Sequence, residues 1–144
     1  MMNMEEAIKK RILKAKDTIK IKVRFDDTDA MGAVHFKNYL VYFDDGFVAF
    51  MRAIENPVES AVKSGIVFPV KKVNITYEES ASFGDYIIVE TSIKQLEEKS
   101  ITFLHKISRE SDNALLANVK CVRLVMDLNT KELLNVAQFF AEFV

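Results

Sequence analysis

Between residues 39 and 54, Tyr39, Tyr42, Phe43, Gly46, Phe47, Phe50, Met51 and Ile54 recur at intervals of three and four. That spacing puts all of them on one face of an α-helix. The face is broad, aromatic and unbroken, and Gly46 lets a neighbouring element approach the helix backbone closely. Leu40, Val41 and Ala49 extend apolar character to its flanks, which predicts a helix enclosed on more sides than a surface helix. A chain with such a segment must supply a partner large enough to cover it. Asn56-Pro57 ends the helix, because the residue before proline avoids helical geometry.

The rest of the sequence supplies that partner as strands. Ile19, Ile21, Val23 and Phe25 alternate with Lys20, Lys22 and Arg24, the period of a half-buried strand. After a short helical segment from Pro57 to Ser64, stopped at Gly65, the pattern is almost entirely strand. Val67 to Tyr77, Tyr86 to Glu97, Ile101 to Arg109 and Leu115 to Met126 are rich in β-branched and aromatic residues. Turn-forming joins such as Phe83-Gly84-Asp85 and Ser111-Asp112-Asn113 imply hairpins and an antiparallel sheet. Met4 to Lys16 predicts a short amphipathic, partly basic helix, and Val136 to Val144, with Phe139, Phe140 and Phe143, a terminal one.

The expected class is α+β: one antiparallel sheet wrapped around one long helix. Residues 1–18 form an N-terminal helical extension and residues 19–144 the main domain. One sheet face is left for solvent or a second subunit, and an exposed edge strand favours pairing across a two-fold axis.

Composition narrows the function. Twenty Lys+Arg against 21 Asp+Glu give a net charge of −1 over 144 residues, so no broad cationic field and no nucleic-acid partner are expected. Cys121 is the lone cysteine, which excludes an internal disulfide and a Cys-based structural zinc site. It reads as a small core residue. Apolar runs are far shorter than a membrane span, and the charged N-terminal stretch lacks the apolar region of a secretory signal. A soluble, cytoplasmic protein is expected.

Asp26, Asp27 and Asp29 sit between a strand end and a helix start, where a scaffold can hold catalytic groups. A calcium loop fits at Asp27, Asp29 and Gly32, but Met31 and Asn38 occupy two oxygen-ligand positions, so it fails. An Asp-x-Asp phosphoryl-transfer site with magnesium, as in the haloacid dehalogenase group, requires a parallel sheet. A third assignment makes one carboxylate a general base or nucleophile beside the helix N-terminus. There the unpartnered N–H groups and the macrodipole can stabilise a developing oxyanion. That is acyl-transfer hydrolysis without a Ser-His pair.

The stretch from Val23 to Phe43, with Asp26-Asp27-Thr28-Asp29-Ala30-Met31-Gly32-Ala33-Val34-His35-Phe36-Lys37-Asn38-Tyr39 at its centre, resembles the signature of hot-dog-fold acyl-CoA thioesterases. It is most similar to the 4-hydroxybenzoyl-CoA thioesterase and YbgC-like branch. The similarity continues through Tyr77 to Asp85, Lys99-Ser100 and Val125-Met126-Asp127, covering residues 19 to 143 in order. The resemblance implies a sheet wrapped around a long helix, acyl-CoA as substrate, and no metal or redox cofactor. It also implies dimers, often paired into homotetramers, with sites at the subunit interface.

By position, Asp29 matches the catalytic acid and the Phe36 backbone N–H the group that polarises the thioester carbonyl. Asn38 and Tyr39 match the helix opening and are assigned to substrate binding. Lys99 and Ser100 match a turn near the coenzyme A phosphates. His35 is a further candidate for orienting water or substrate. Asp26 and Asp27 are expected to be structural or solvated, His105 structural, and Lys71 and Lys72 an exposed strand face. The chain departs from the pattern at Phe36, where many relatives have His, at Ser80, where proline is usual, and at Glu97-Glu98. Two other functions remain open: a non-catalytic acyl-CoA-binding module, and a dehydratase or hydratase. The latter's Asp-x4-His spacing is not matched, since five residues separate Asp29 from His35.

Overall fold

The computed structural model describes residues 3–142. The element order is α1 (Met4–Lys14), β1 (Lys16–Lys22), a 3-10 turn (Phe25–Asp27), α2 (Asn38–Ala53), α3 (Val58–Lys63), β2 (Ile66–Val67), β3 (Val70–Tyr77), β4 (Tyr86–Leu96), β5 (Ser100–Arg109), β6 (Leu115–Leu124), β7 (Met126–Asp127) and α4 (Val136–Glu142). Five strands form one antiparallel sheet in the order β1-β4-β5-β6-β3, and β2 pairs with β7 in a small second sheet.

The α2 helix lies against one face of the large sheet. All the apolar-face positions named from the sequence are buried, with Phe50 and Met51 fully so. Gly46 sits where the helix meets β4: a Cβ there would lie 2.8 Å from both Thr91 Oγ1 and Val89 Cγ1. One end of the core gathers Phe47, Phe50, Phe103, Phe139 and Phe140, and the other Tyr39, Tyr42, Phe43, Ile87 and Ile107. Ile12 of α1 enters the first of these. The extension therefore packs on the domain, and β1 already begins at Lys16. Cys121 is a buried free thiol.

Two expectations are corrected, and a third is met as far as the described residues reach. Phe25 does not continue the β1 alternation: the chain turns at Phe25–Asp27 and leaves that ring 77% exposed. Leu40 and Val41 are exposed, because α2 is covered by the sheet on one side only. The terminal helix buries Phe139 and Phe140, whereas Phe143 lies outside the described residues.

Candidate functional site

The segment between β1 and α2 folds back on itself as a small hairpin. Asp29 N–H donates to the Ala33 carbonyl at 2.8 Å, His35 N–H to the Asp27 carbonyl at 2.9 Å, and Thr28 and Val34 form a bridge. Gly32, at φ +80°, makes the reversal. The hairpin rests on a second loop: Val34 N–H reaches the Ala81 carbonyl at 2.9 Å, and Ala33 bridges Ser82. Arg109 fastens that second loop, with Nη2 on the Ser80 carbonyl at 2.9 Å, Nη1 on Glu79 and Nε on Asp85.

The three aspartates of this segment have separate environments. Asp27 is buried and accepts from Arg24 N–H, Arg24 Nη2 and the Tyr42 hydroxyl, each at 3.0 Å. Burial pushes its carboxyl up, but the bonds from Arg24 and Tyr42 outweigh burial and hold it below the usual carboxylate range. Tyr42 answers in the opposite sense: burial first, then the Asp27 carboxylate, push its phenol well above the usual tyrosine value. Asp27 is thus the anchor of the hairpin. Asp26 is exposed.

Asp29 is also exposed. Its Oδ1 accepts from Met31 N–H at 2.8 Å and Ala33 N–H at 3.3 Å, which fixes the carboxylate plane. Its Oδ2 has no hydrogen-bond partner among the described residues. The Phe36 N–H, just before α2, likewise has no acceptor among them, whereas the Phe36 carbonyl accepts from the Tyr77 hydroxyl at 3.2 Å. A free carboxylate oxygen and a free helix-start N–H therefore belong to one short hairpin.

The other predicted residues divide. Asn38 Nδ2 donates to the Asp27 carbonyl at 2.7 Å, a bond that ties α2 to the hairpin. Tyr39 is buried, its hydroxyl accepting from Ala81 N–H at 3.2 Å, and burial raises its phenol's pKa. The His35 ring stacks on Phe36 at 4.7 Å, with Nδ1 accepting from Lys37 N–H at 3.3 Å. An open cavity of about 260 Å³ lies beside Phe36, Tyr39, Tyr77 and Ser80.

Lys99 and Ser100 are elsewhere in the chain. Lys99 lies in the β4–β5 turn and Ser100 opens β5; Lys99 Nζ reaches the Leu133 carbonyl at 3.4 Å. The Asp29 hairpin follows Lys22, which pairs with Tyr86 at the other end of β4. Eleven residues of strand separate the two ends, roughly 30 Å at the ordinary rise. No group of three or more His, Cys, Asp or Glu among the described residues is placed to hold a metal ion.

Residues 23–144 match the thioesterase-like superfamily along 85% of the chain. The chain belongs to that superfamily. This thioesterase is 28% identical over 107 residues to the acyl-CoA thioesterase YbgC of Haemophilus influenzae, covering 72% of this chain and 79% of that one. It is 28% identical over 133 residues to the 4-hydroxybenzoyl-CoA thioesterase of Pseudomonas sp. strain CBS-3, covering 88% and 94%. A solved structure of DHNA-CoA thioesterase from Staphylococcus aureus superimposes with a TM-score of 0.82 at 19% identity, over 88% of this chain and 85% of that one. The fold is the hot-dog fold.

Two further residues shape the candidate site with no local sequence signal for that part. Tyr77 stood inside the quoted motif, but only β3's path brings its hydroxyl to Phe36. Arg109 ends a strand with nothing local to mark it, and its acceptors lie up to 30 positions away.

Proposed function

We propose that the protein hydrolyses acyl-CoA thioesters, with Asp29 as nucleophile or general base and the Phe36 N–H as electrophile. The observation that carries this assignment is the pairing of a free Asp29 oxygen with a free N–H at the mouth of a sixteen-residue helix. The partial positive charge of the α2 N-terminus adds to the pull of that N–H on a carbonyl oxygen. As the carbonyl carbon becomes tetrahedral, the oxyanion is stabilised by the N–H. Asp29 either attacks the carbon itself or takes a proton from the attacking water. Collapse expels the CoA thiolate, a good leaving group that needs little protonation; where Asp29 was the nucleophile, water then hydrolyses the aspartyl-acyl anhydride, releasing the acid and restoring the carboxylate. Water, the carboxylate and the backbone N–H are the only participants in this scheme, so it calls on no cofactor.

A dimer built on β3 completes the substrate cradle in this proposal. β3 is an outer strand of the sheet. Antiparallel pairing of two β3 strands about a two-fold axis sets the Tyr77 end of one against the Val70 end of the other. Val70 pairs with Arg123 and Ser100 with Leu124, so these two share a sheet end. Lys99 of the partner subunit then stands at the same end as Asp29, where its ammonium can meet CoA phosphates.

Thiol release from a panel of short, long and aromatic acyl-CoAs, wild type against Asp29→Asn, tests the assignment. Turnover that falls at least about a hundredfold in the variant, with the oligomer intact, supports it. Acyl-CoA that binds and is never cleaved by the wild type refutes it in favour of a binding module, and hydration of an enoyl-CoA in favour of a hydratase.

A further inference from the structure

The face of the sheet that α2 leaves uncovered carries a charge distribution that the near-neutral total conceals. Strand residues directly opposite one another project to the same side. Lys22 is opposite Tyr86, Glu90 opposite Lys106, Leu104 opposite Lys120 and Lys72 opposite Val122. Followed across all five strands, the register places Lys16, Lys20, Lys22, Lys72, Lys106 and Lys120 on this outer face, with Glu90 as its only acidic strand position. Glu90 lies 3.7 Å from Lys16, and Glu110, just past β5, pairs with Lys20 at 2.9 Å. Lys22, Lys72, Lys106 and Lys120 have no carboxylate partner among the described residues. The chain as a whole is −1, whereas the strand positions of this face carry six lysines against one glutamate.

The same face holds an open basin of about 400 Å³. Its walls include Lys106, Lys120, Asn118, Asn74 and Ser92, which can donate hydrogen bonds to an anionic group.

We propose that this sheet face is an electrostatic docking surface for an anionic lipid bilayer. A second copy of the chain is disfavoured there, because two lysine faces repel. Sequence-tolerant nucleic-acid binding uses exposed aromatic rings for stacking. The aromatic ring on this face, Tyr86, is already covered by the ammonium groups of Lys20 and Lys22, at 4.6 and 5.7 Å. A protein interface centres on an apolar, charge-depleted patch, whereas here Leu104 stands among Glu90, Lys106 and Lys120. What remains is a broad field of flexible point charges, roughly 20 Å across five strands. Anionic headgroups are met by such a field without insertion or a fixed register.

Co-sedimentation of the full chain with large unilamellar vesicles tests this. Vesicles of phosphatidylcholine and phosphatidylglycerol at about 7:3 are compared with phosphatidylcholine alone, at about 50 mM and about 500 mM salt. The expected result is binding to the anionic vesicles at low salt and its loss at high salt. Binding should weaken roughly tenfold or more in the Lys106→Gln/Lys120→Gln variant and persist in Lys106→Arg/Lys120→Arg. Thiol release and thermal melting in solution stay at wild-type levels in both, which separates a lost surface from a lost fold. The proposal is overturned by absence of binding at low salt, by equal binding to neutral vesicles, or by wild-type binding of the Gln variant. It is also overturned if single-stranded nucleic acid strips the protein from vesicles at a lower phosphate concentration than the lipid supplies.

Discussion

The Tyr42 hydroxyl donates a 3.0 Å hydrogen bond to Asp27 across fifteen residues of chain. It links the buried side of α2 to the hairpin that carries Asp29. Asp27 and Asp29 are two positions apart and have opposite needs: the first must stay buried and bonded, the second exposed with an oxygen free. Substitution should therefore separate stability from activity at these neighbours. Asp27→Ala is expected to cost about 1–3 kcal/mol, since it strands the Tyr42 hydroxyl and the Arg24 N–H. Asp29→Asn should stay within about 0.5 kcal/mol of wild type. Urea unfolding of both variants checks this, and equal destabilisation would refute the division.

Phe36 enters the proposed chemistry through its backbone. Its ring is 65% exposed and stacked on His35. Phe36→Ala should leave kcat within about threefold and act mainly on KM, as loss of uniform binding does. A kcat reduced as far as in Asp29→Asn would assign the ring a part in the chemical step.

His105 gives the fold a pH limit. It is buried, with Nδ1 2.8 Å from Thr91 Oγ1 and no partner for Nε2 among the described residues. Burial, and next the charge of Arg123, push its pKa down to about 3. The unfolded chain takes up a proton at about 6.5, while the folded protein refuses it until far lower pH. Stability is then complete above pH 6.5 and declines as pH falls toward 3, by up to about 1.4 kcal/mol per unit. Asp27, held below its ordinary value, adds a further loss that begins only below about pH 4. His105→Leu should flatten the melting temperature between pH 6.5 and 4 even if it lowers the plateau; an unchanged slope would exclude His105 as the cause.

Gly46→Ala tests how closely sheet and helix approach. Alanine favours helix by about 1 kcal/mol over glycine. Its Cβ, however, would meet Thr91 Oγ1 and Val89 Cγ1 at 2.8 Å. Overpacking of that kind costs about 1–3 kcal/mol, so net destabilisation is expected in a thermal melt. A stabilised variant would mean that the sheet gives way more easily than its geometry implies.

The helix was legible because α2 repeats its apolar residues over four turns, and a period that long admits one conformation. Strands β3 to β6 were legible from β-branched runs between turn residues. Phe25 was not, since the alternation that fits β1 is broken by the bonds closing around Asp27, and those involve Tyr42 far along the chain. Asp29 and the Phe36 N–H could be named as candidates because both belong to one contiguous motif. Tyr77 and Arg109 act through contacts made only after the sheet has assembled. The lysine face had the same obstacle: β1 alone displays Lys16, Lys20 and Lys22 in alternation, but Lys72, Lys106 and Lys120 join them only through register.

The hairpin has one more consequence. Asp29 and Phe36 are seven positions apart, and most of the bonds that fix their geometry fall between Asp27 and Tyr42, the others reaching Tyr77, Ala81 and Phe83. The cavity wall at Tyr77 and Ser80 comes from a different part of the chain. The proposed reactive pair is in that sense a cassette, inherited whole, while the walls that select the acyl group can drift independently. Divergence among such chains can then change which acid is released without having to rediscover how the thioester is broken.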